Sequence, residues 1–238
     1  MNFLKRISRQ SLHSLYRESR LNSWKRQSRE AAGRYFSENA VRKLHIGCGG
    51  AVKAGWLNTD IERVTPEVIH LDAGSRFPYP DASFAYVFSE HVFEHLNLDQ
   101  QLTMLSELAR VMKPGGKARI ATPNLDALLA IRTDGSVLVK DYIKWSADVF
   151  FPGYVARLGD EARNDVFVIN NYFYSWGHQF IHNPGSFEMI VRKMGFSKIG
   201  RVRVHESADP VLQNLESHGK MITDRFNEME TMVFEIEK

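Results

Sequence analysis

From Lys43 onward the sequence alternates between short apolar runs and helical segments that are separated by turn residues. This alternation is typical of α/β domains, in which strands form a central sheet and helices cover it. The apolar runs predict strands at 43–46, 56–61, 67–71, 84–89, 117–122, 198–204 and 231–236. We therefore predict an α/β fold built on a mostly parallel sheet.

The clearest helix lies between the fourth and fifth predicted strands. Its apolar face carries Leu102, Leu105, Ala109 and Met112. Asp99 is expected to cap its N-terminus, and the Lys-Pro-Gly-Gly sequence at 113–116 is expected to end it. A second helix is expected to begin at a capping Ser186 and to end at Gly195. The order strand, helix, tight break, strand predicts a parallel crossover.

The bulk composition is that of a globular protein. A length of 238 residues suits one α/β domain with an extension, and 43% hydrophobic with 25% charged residues excludes general disorder. The single cysteine, Cys48, cannot form an intramolecular disulfide, and no stretch reads as a signal peptide or a transmembrane helix. We expect a cytoplasmic protein.

Positive charge is concentrated at the N-terminus. The first 43 residues contain 11 basic and 3 acidic residues, a net charge of +8, whereas the rest has 20 basic and 25 acidic residues, a net charge of −5. We predict a basic helical extension over 1–40 and a domain over 41–238. The extension is a helix packed on its own domain, an amphipathic helix for an anionic membrane surface or partner protein, or a targeting peptide. Nucleic acid is an unlikely partner, because the domain itself is acidic.

A glycine-rich turn, Gly47-Cys48-Gly49-Gly50, directly follows the first predicted strand. Glycines let ligand atoms approach main-chain amides closely. The dinucleotide fingerprint Gly-x-Gly-x-x-Gly would need a glycine at Val52. A nicotinamide dinucleotide is therefore disfavoured.

Two carboxylates follow the next two predicted strands. Asp60 ends the second strand and can accept both hydrogen bonds of a ribose diol, and Asp72 closes the third and can reach an adenine amino group. Acids on both sides of the glycine turn would repel a pyrophosphate but suit a nucleoside. Solvated loop acids are the alternative interpretation of each residue alone.

Over residues 43–238 the sequence resembles the class I S-adenosylmethionine-dependent methyltransferases. Four motifs carry the resemblance, in the family's order: the glycine turn, Phe-Pro-Tyr-Pro-Asp-Ala-Ser-Phe at 77–84, Ser-Glu-His-Val-Phe-Glu-His-Leu at 89–96, and Glu-Leu-Ala-Arg-Val-Met-Lys-Pro-Gly-Gly at 107–116. The resemblance implies a Rossmann-like three-layer sandwich with a seven-stranded, mostly parallel sheet, one antiparallel strand near the C-terminus, and S-adenosylmethionine as cofactor. The predicted cofactor-binding residues are Gly47, Cys48, Gly49, Gly50, Asp60, Ile61, Asp72, Ala73, Ser89 and Glu90.

Two further segments, Gly-Trp-Leu-Asn-Thr-Asp at 55–60 and His-Glu-Ser-Ala-Asp-Pro at 205–210, resemble a bacterial branch of this family linked to polysaccharide and glycosyltransferase systems. This resemblance implies a sugar or glycan acceptor. The sequence departs from the family at His45, where many relatives carry an acid, and in the link from Gly50 to Trp56, which is too short for a long first helix.

Histidines are the candidate catalytic residues. Methyl transfer from a sulfonium is an in-line displacement, and a hydroxyl acceptor loses its proton as it attacks. Histidine has a suitable pKa for that proton transfer. His91 follows the fourth strand at the ligand-binding edge of the sheet, and His178 lies in the aromatic segment. We predict His91 first, and His178 second, as the general base.

Residues 91–95 formally match the His-x-x-Glu-His pattern of inverted zinc proteases. Such a site needs both histidines on one continuous helix and a third ligand from elsewhere, whereas this segment opens directly from a strand. We therefore predict no metal site. Glu94 and His95 are expected to be packed, hydrogen-bonded residues at a helix start.

Residues 123–185 are rich in aromatic side chains and are predicted to form a substrate cap over one end of the sheet. The residues predicted to contact the acceptor are Asn124, Trp176 and His182. Two functions are compatible with these patterns. The first is a methyltransferase acting on a hydroxyl of a small acceptor, and the second is an inactive, methyltransferase-like scaffold docked to a membrane-associated biosynthetic complex.

Overall fold

The computed structural model describes Trp24 and residues 26–238. Seven strands form one sheet in the order β3-β2-β1-β4-β5-β7-β6. Their bounds are β1 Lys43–Ile46, β2 Leu57–Asp60, β3 Ile69–His70, β4 Phe84–Glu90, β5 Met112–Pro123, β6 Lys198–Val202 and β7 Thr231–Glu237. Strands β1 to β5 pair in parallel, and β7 is antiparallel to both β5 and β6. The predicted fold class is confirmed.

Helices pack on one face of the sheet and form a cap, which is described below. The helix over residues 26–38 is α1. The others are α2 Leu98–Val111, α3 Leu125–Ala130, α4 Val137–Phe150, α5 Pro152–Leu158, α6 Asp165–Tyr174, α7 Pro184–Lys193, α8 Gly219–Ile222 and α9 Asp224–Glu230. Single 3-10 turns occur at Phe93–His95 and Asp160–Ala162. The segment predicted to be an aromatic cap therefore consists mainly of short helices.

The main core lies on the face of the sheet that α2 and α7 cover. Buried strand residues such as Leu44 and Ile120 pack there against Leu105 of α2 and Phe187 of α7. Helix α1 joins the same core through Ala32, which is buried. Helix α1, in the described part of the N-terminal extension, is therefore packed on its own domain, and residues 1–23 and 25 lie outside the described part.

The opposite face of β1 and β4 is covered by a connection rather than by a helix. Only a short loop links β1 to β2, as the sequence predicted. Trp56 and Phe88 are covered instead by Leu212 and Leu215, which belong to the segment between β6 and α8. We name residues 203–218 the covering segment.

A separate hydrophobic cluster forms the cap. Tyr142 of α4, Tyr172 of α6 and Phe226 of α9 are buried in it, together with Ile181. The cap thus brings the aromatic segment 123–185 together with the short C-terminal helices.

Both predicted helix caps were assigned to the wrong residue. Asn97, and not Asp99, begins α2, because its side chain accepts a hydrogen bond from the backbone N–H of Gln100 while the Gln100 side chain accepts one from the Asn97 N–H. Asn183 begins α7 in the same way, with Ser186 as the reciprocal partner. In both cases the asparagine precedes the predicted cap by two or three residues.

The Lys-Pro-Gly-Gly sequence ends α2 as predicted, but it lies inside β5. Helix α2 ends at Val111 and β5 begins at Met112. The register with β4 shifts after the pair Phe84 and Met112, so residues 113–116 form an irregular bulge, with Gly115 at φ +71°. The predicted third strand is shorter than expected, because β3 pairs only with β2 and over two residues.

Candidate active site

The candidate site lies where the strand order reverses. β1 lies between β2 and β4, so the chain leaves the carboxyl ends of β1 and β4 side by side. Ligands of open α/β sheets bind in the crevice at such a point. The glycine turn follows β1, and Ser89 and Glu90 end β4. The structure thus brings together two of the predicted cofactor-binding segments.

The glycine turn has the backbone conformation that glycine permits. Gly47 and Gly49 have φ values of +67° and +48°. A Cβ atom on Gly47 would lie 1.9 Å from Cγ2 of Val92, whereas one on Gly49 or Gly50 would have no heavy atom within 4 Å. The turn is therefore packed on one side and open above Gly49 and Gly50.

Cys48 has a structural place in this turn. Its backbone N–H donates to the Thr59 carbonyl over 3.0 Å, which fastens the turn to β2. Burial, with a further contribution from the charge of Asp60, raises the pKa of the Cys48 thiol to about 12. A thiol with that pKa is not a nucleophile at neutral pH.

Asp60 is directly connected to the glycine turn. Its Oδ2 accepts a hydrogen bond of 2.8 Å from the Gly49 N–H, and its Oδ1 accepts one of 2.9 Å from the Glu62 N–H. Each carboxylate oxygen keeps a further lone pair. The carboxylate is thus held beside the open part of the turn, with acceptor capacity left for a diol.

Ile61 and Asp72 line a groove of about 700 Å³ between α1 and the ends of β2 and β3. Asp72 accepts hydrogen bonds from the Gly74 N–H and the Ser75 hydroxyl. Ala73 is buried in the main core and does not line this groove.

The two predicted residues at the end of β4 differ in their surroundings. Ser89 is buried, and its hydroxyl has no hydrogen-bond partner. The Glu90 carboxylate accepts hydrogen bonds from the backbone N–H groups of Ser217 and His218 and from the Ser217 hydroxyl. Glu90 therefore fastens the covering segment to β4.

These features fit the nucleoside cofactor that the sequence predicts. The space above Gly49 and Gly50 is open, the Asp60 carboxylate faces the turn, and the hydroxyl of Ser89 is an unpaired polar group at the same sheet edge. A buried hydroxyl without a partner is rare in folded proteins and often marks a place where a ligand supplies the partner.

A cavity of about 390 Å³ opens beside the end of β4. The turn after β4, the cap helices and the covering segment all contribute to its wall. Four histidines line it, namely His91, His95, His178 and His218, together with the acids Glu94 and Glu230 and the aromatic residues Tyr142, Phe150, Tyr172 and Trp176. The cavity therefore combines apolar walls with a convergent set of titratable groups.

His91 is held between two oxygen atoms. Its Nδ1 lies 3.0 Å from Oε1 of Glu94, and its Nε2 lies 3.3 Å from the Thr231 hydroxyl, whose proton is directed to Asn227. Burial acts to lower the pKa of His91, but the hydrogen bond and charge of Glu94 outweigh it and raise the pKa. A ring with an acceptor at each nitrogen favours the imidazolium form. This geometry weighs against His91 as a proton acceptor.

His178, the second predicted base, has one ring nitrogen available. Its Nδ1 lies 2.7 Å from the Tyr172 carbonyl oxygen, which can only accept a hydrogen bond. The proton therefore lies on Nδ1, and Nε2 keeps its lone pair. Burial lowers the pKa of His178, which favours the neutral ring.

His218 belongs to the same cavity and was missed by the sequence analysis. Its ring lies on that of His91, with centroids 3.9 Å apart, and its Nε2 lies 3.3 Å from Oε1 of Glu230. Because a carboxylate accepts, the proton lies on Nε2 and Nδ1 has its lone pair available. No local motif marks His218, since it reaches the site through the covering segment.

Of the three residues predicted to contact the acceptor, only Trp176 lines the cavity. Asn124 caps α3, where its side chain accepts from the Asp126 N–H. His182 is buried and is hydrogen-bonded to Ser186 and Gln101. Both side chains have intramolecular partners, and the structure does not bring either one to the cavity.

Residues 44–120 match the family model of a methyltransferase domain. The matched residues run from β1 into β5 and include the glycine turn, Asp60 and the turn after β4. The match and the fold agree with the predicted cofactor, S-adenosylmethionine.

This chain is similar to several solved structures of methyltransferases. A SAM-dependent methyltransferase from Mesorhizobium loti is 11% identical over 84% of this chain and 92% of that chain, with a TM-score of 0.50. One from Archaeoglobus fulgidus is 16% identical over 90% and 92%, with a TM-score of 0.49. Phosphoethanolamine N-methyltransferase 2 from Haemonchus contortus is 19% identical, and the match covers 83% of this chain but only 48% of that chain, with a TM-score of 0.43. At 11% identity, the likeness to the Mesorhizobium loti structure concerns the fold alone.

Proposed function

We propose that this protein is an S-adenosylmethionine-dependent methyltransferase that methylates a hydroxyl group of a small polar acceptor, with a sugar or glycan intermediate as the favoured class. The observation that carries the proposal is the histidine-lined cavity beside the end of β4, the strand that neighbours β1 and its glycine turn in the sheet. When bound, the cofactor supplies a methyl group on a sulfonium sulfur. The protein's own residues position the acceptor and remove its proton.

The walls of the cavity suit a sugar-sized molecule. Aromatic side chains, including Trp176 and Phe150, offer apolar faces to the ring of a sugar, while histidines and acids offer partners to its hydroxyl groups. A volume of about 390 Å³ lies within the range of pockets for small molecules. The sequence resemblance to the polysaccharide-linked branch points to the same acceptor class.

Two ring nitrogens in the cavity can take the acceptor's proton. They are Nε2 of His178 and Nδ1 of His218, whose other nitrogens are bound to the Tyr172 carbonyl and to Glu230. As the acceptor oxygen forms its bond to the methyl carbon and the carbon–sulfur bond breaks, the proton passes from the hydroxyl to one of these nitrogens.

The test is a methyl-transfer assay with the full-length protein, labelled S-adenosylmethionine and a panel of nucleotide sugars and glycan fragments. We expect label in at least one sugar, and a loss of turnover on the order of a hundredfold in the histidine variant that removes the base, His178→Gln or His218→Gln. His205→Gln, outside the cavity, is the control. Unchanged turnover in both cavity variants would contradict the proton-transfer assignment, and no transfer to any acceptor would contradict the proposal.

We further propose that the basic N-terminus docks the protein on an anionic membrane surface, which is compatible with catalysis or with a scaffold role. The supporting observation is the net charge of +8 in the first 43 residues, against −5 in the remainder. None of the helices in the described part of the chain combines the length and apolarity needed to cross a bilayer. The proposed docking depends on charge and on shallow apolar contacts.

Vesicle flotation with phosphatidylserine tests this docking. Neutralising Lys5, Arg6 and Arg9 to glutamine should weaken binding more than tenfold, since each basic residue near an anionic surface contributes about 1 kcal/mol. Neutralising three exposed basic residues of the domain, Lys140, Arg157 and Lys193, is the matched control and should change little. Equal binding by both variants, or no binding by the unaltered chain, rejects docking.

A further inference from the structure

Three side chains of metal-ligand type converge on one wall of the cavity, although they come from two separate segments. Glu94 and His95 belong to the turn after β4, and His178 belongs to the loop between α6 and α7. One ligand atom from each residue lies within 4.8 Å of the other two. We infer that Glu94, His95 and His178 bind a divalent transition-metal ion.

His178 is oriented as metal-binding histidines usually are. Its Nδ1–H donates to the Tyr172 carbonyl over 2.7 Å, which fixes the ring and leaves the Nε2 lone pair for a ligand bond. Metal-ligating histidines commonly donate their other N–H to a carbonyl or carboxylate in this way.

Glu94 supplies the negative charge. The side chain is fully buried, with Oε1 at 3.0 Å from Nδ1 of His91 and Oε2 at 3.1 Å from the Thr122 hydroxyl. Each oxygen has two lone pairs, and one remains available for an ion.

The two segments are held together by the chain itself. The backbone N–H of Gln179 donates to the Glu94 carbonyl over 2.7 Å, and the Gln179 side chain donates to the His95 carbonyl over 2.7 Å. The rings of His95 and His178 are 4.9 Å apart. Ligand atoms around a tetrahedral zinc lie about 3.4 Å apart, so small side-chain rotations would close the site.

The donor set indicates which ions would bind. Two imidazoles and one carboxylate suit zinc, cobalt, manganese or iron, whereas magnesium and calcium prefer oxygen ligands alone. Three protein ligands leave coordination positions open toward the cavity, as in catalytic metal sites. No metal site was predicted from the sequence, because the His-x-x-Glu-His pattern required His91 and His95 on one helix. The structure instead pairs His91 with Glu94 and brings in His178 from 83 residues beyond His95.

This site would give the cavity a means of holding its acceptor. Two adjacent hydroxyl oxygens, as in a sugar, are suitable ligands for the open positions. With His178 bound to the ion, Nδ1 of His218 remains to take the acceptor's proton. The acceptor-binding role rests on the proposed function, but the ion site itself does not.

The inference is tested by titrating Co²⁺ into the full-length protein after treatment with a chelator, with calorimetry and the visible spectrum of cobalt as readouts. We expect one ion per chain and affinities at least tenfold weaker in His95→Gln and in His178→Gln. Both histidines are partly exposed, so these variants should fold. His205→Gln removes a histidine elsewhere and should bind as the unaltered protein does.

Absence of Co²⁺ binding by the unaltered protein would overturn the inference. So would a Co²⁺ affinity in both His95→Gln and His178→Gln that equals the affinity of the unaltered protein. Binding of S-adenosylhomocysteine is measured on the same samples. If the protein binds Co²⁺ through the cluster but does not bind S-adenosylhomocysteine, the ion site is supported and the proposed function is rejected. If it binds S-adenosylhomocysteine but not Co²⁺, the proposed function stands and the ion site is rejected.

Discussion

Two features of the structure require glycine at position 47. The backbone has φ +67°, and the Val92 side chain fills the space where a Cβ atom would be. Glycine meets both demands because it lacks a Cβ. The packing of Val92 on the turn thereby couples the end of β1 to the segment that follows β4.

Gly47→Ala should lower the free energy of unfolding by about 2–4 kcal/mol, because the left-handed conformation and the overlap with Val92 both oppose a methyl group. Urea denaturation measures the change. Adding Val92→Ala should recover the portion of the lost unfolding free energy that comes from the overlap. The portion that comes from the left-handed φ of residue 47 should remain. Gly50→Ala is the control, since it meets no atom within 4 Å and has no positive φ. A Gly47→Ala protein as stable as the control would contradict this account.

Individual residues were predicted well where the reason for them is local. The glycine turn, Cys48 as a packing residue and Asp60 at the end of β2 all lie where the sequence indicated. The two helix caps were assigned wrongly, because several polar residues near each helix start could act as the N-cap. The sequence does not show that Asn97 and Asn183 are the ones that do. Asn124 and His182 resemble ligand-binding residues in sequence, but their partners are intramolecular.

At the scale of elements, the covering segment replaces a helix that the short link between β1 and β2 cannot form. It is fastened to the sheet by Arg119, which is fully buried on β5. Arg119 donates to Glu216 over 2.5 Å, to Glu235 over 2.7 Å, and to the carbonyls of Glu206 and Arg203. The segment in turn delivers His218 to the cavity.

Arg119→Met should lower the free energy of unfolding by about 3–5 kcal/mol, because it leaves the buried carboxylate of Glu216 without its charged partner. Adding Glu216→Gln should recover part of the loss. Hydrogen exchange should become faster at residues 205–218. Lys198→Met breaks the exposed pair with Glu237 and should cost less than about 1 kcal/mol. Equal effects of the two single variants would contradict the anchoring role.

Strands and long helices were predictable because their periodicity is local. The covering segment could not be predicted from the sequence, because its defining contacts join residues far apart in the chain, such as Arg119 and Glu216. The length of the β1 to β2 link did indicate that a helix was missing. It did not indicate which residues would take its place.

At the scale of the whole molecule, two buried histidines connect stability to pH. Burial lowers the pKa of His45 and that of His182 to about 4, from the ordinary value of 6.5. Below pH 6.5 the unfolded chain binds protons at these positions and the folded protein does not. Their contribution is therefore present above pH 6.5 and is lost as the pH falls toward 4.

We expect the unfolding free energy to fall between pH 6.5 and pH 4, by on the order of 3 kcal/mol for each of the two histidines. His91, whose pKa is raised, opposes this trend. Denaturation curves of His182→Gln at several pH values isolate one contribution, since its decline over this range should be shallower than that of the unaltered protein. Parallel curves would show that His182 does not titrate as proposed.

The cavity is also a property of the whole molecule. Its residues come from the turn after β4, from the cap and from the covering segment, so no stretch of sequence contains it. The sequence did place His91, Trp176 and His178 among the functional candidates. It could not show that Glu94, His95 and His178 meet, because that depends on how the cap folds back over the sheet.

We expect the glycine turn and Asp60 to bind S-adenosylmethionine. Isothermal titration calorimetry of the full-length protein with S-adenosylmethionine and S-adenosylhomocysteine tests it most directly. The account predicts saturable binding that weakens at least tenfold, or by about 1.4 kcal/mol, in Asp60→Asn and is unchanged in Glu62→Ala. No heat of binding from either ligand at millimolar concentration would contradict the account.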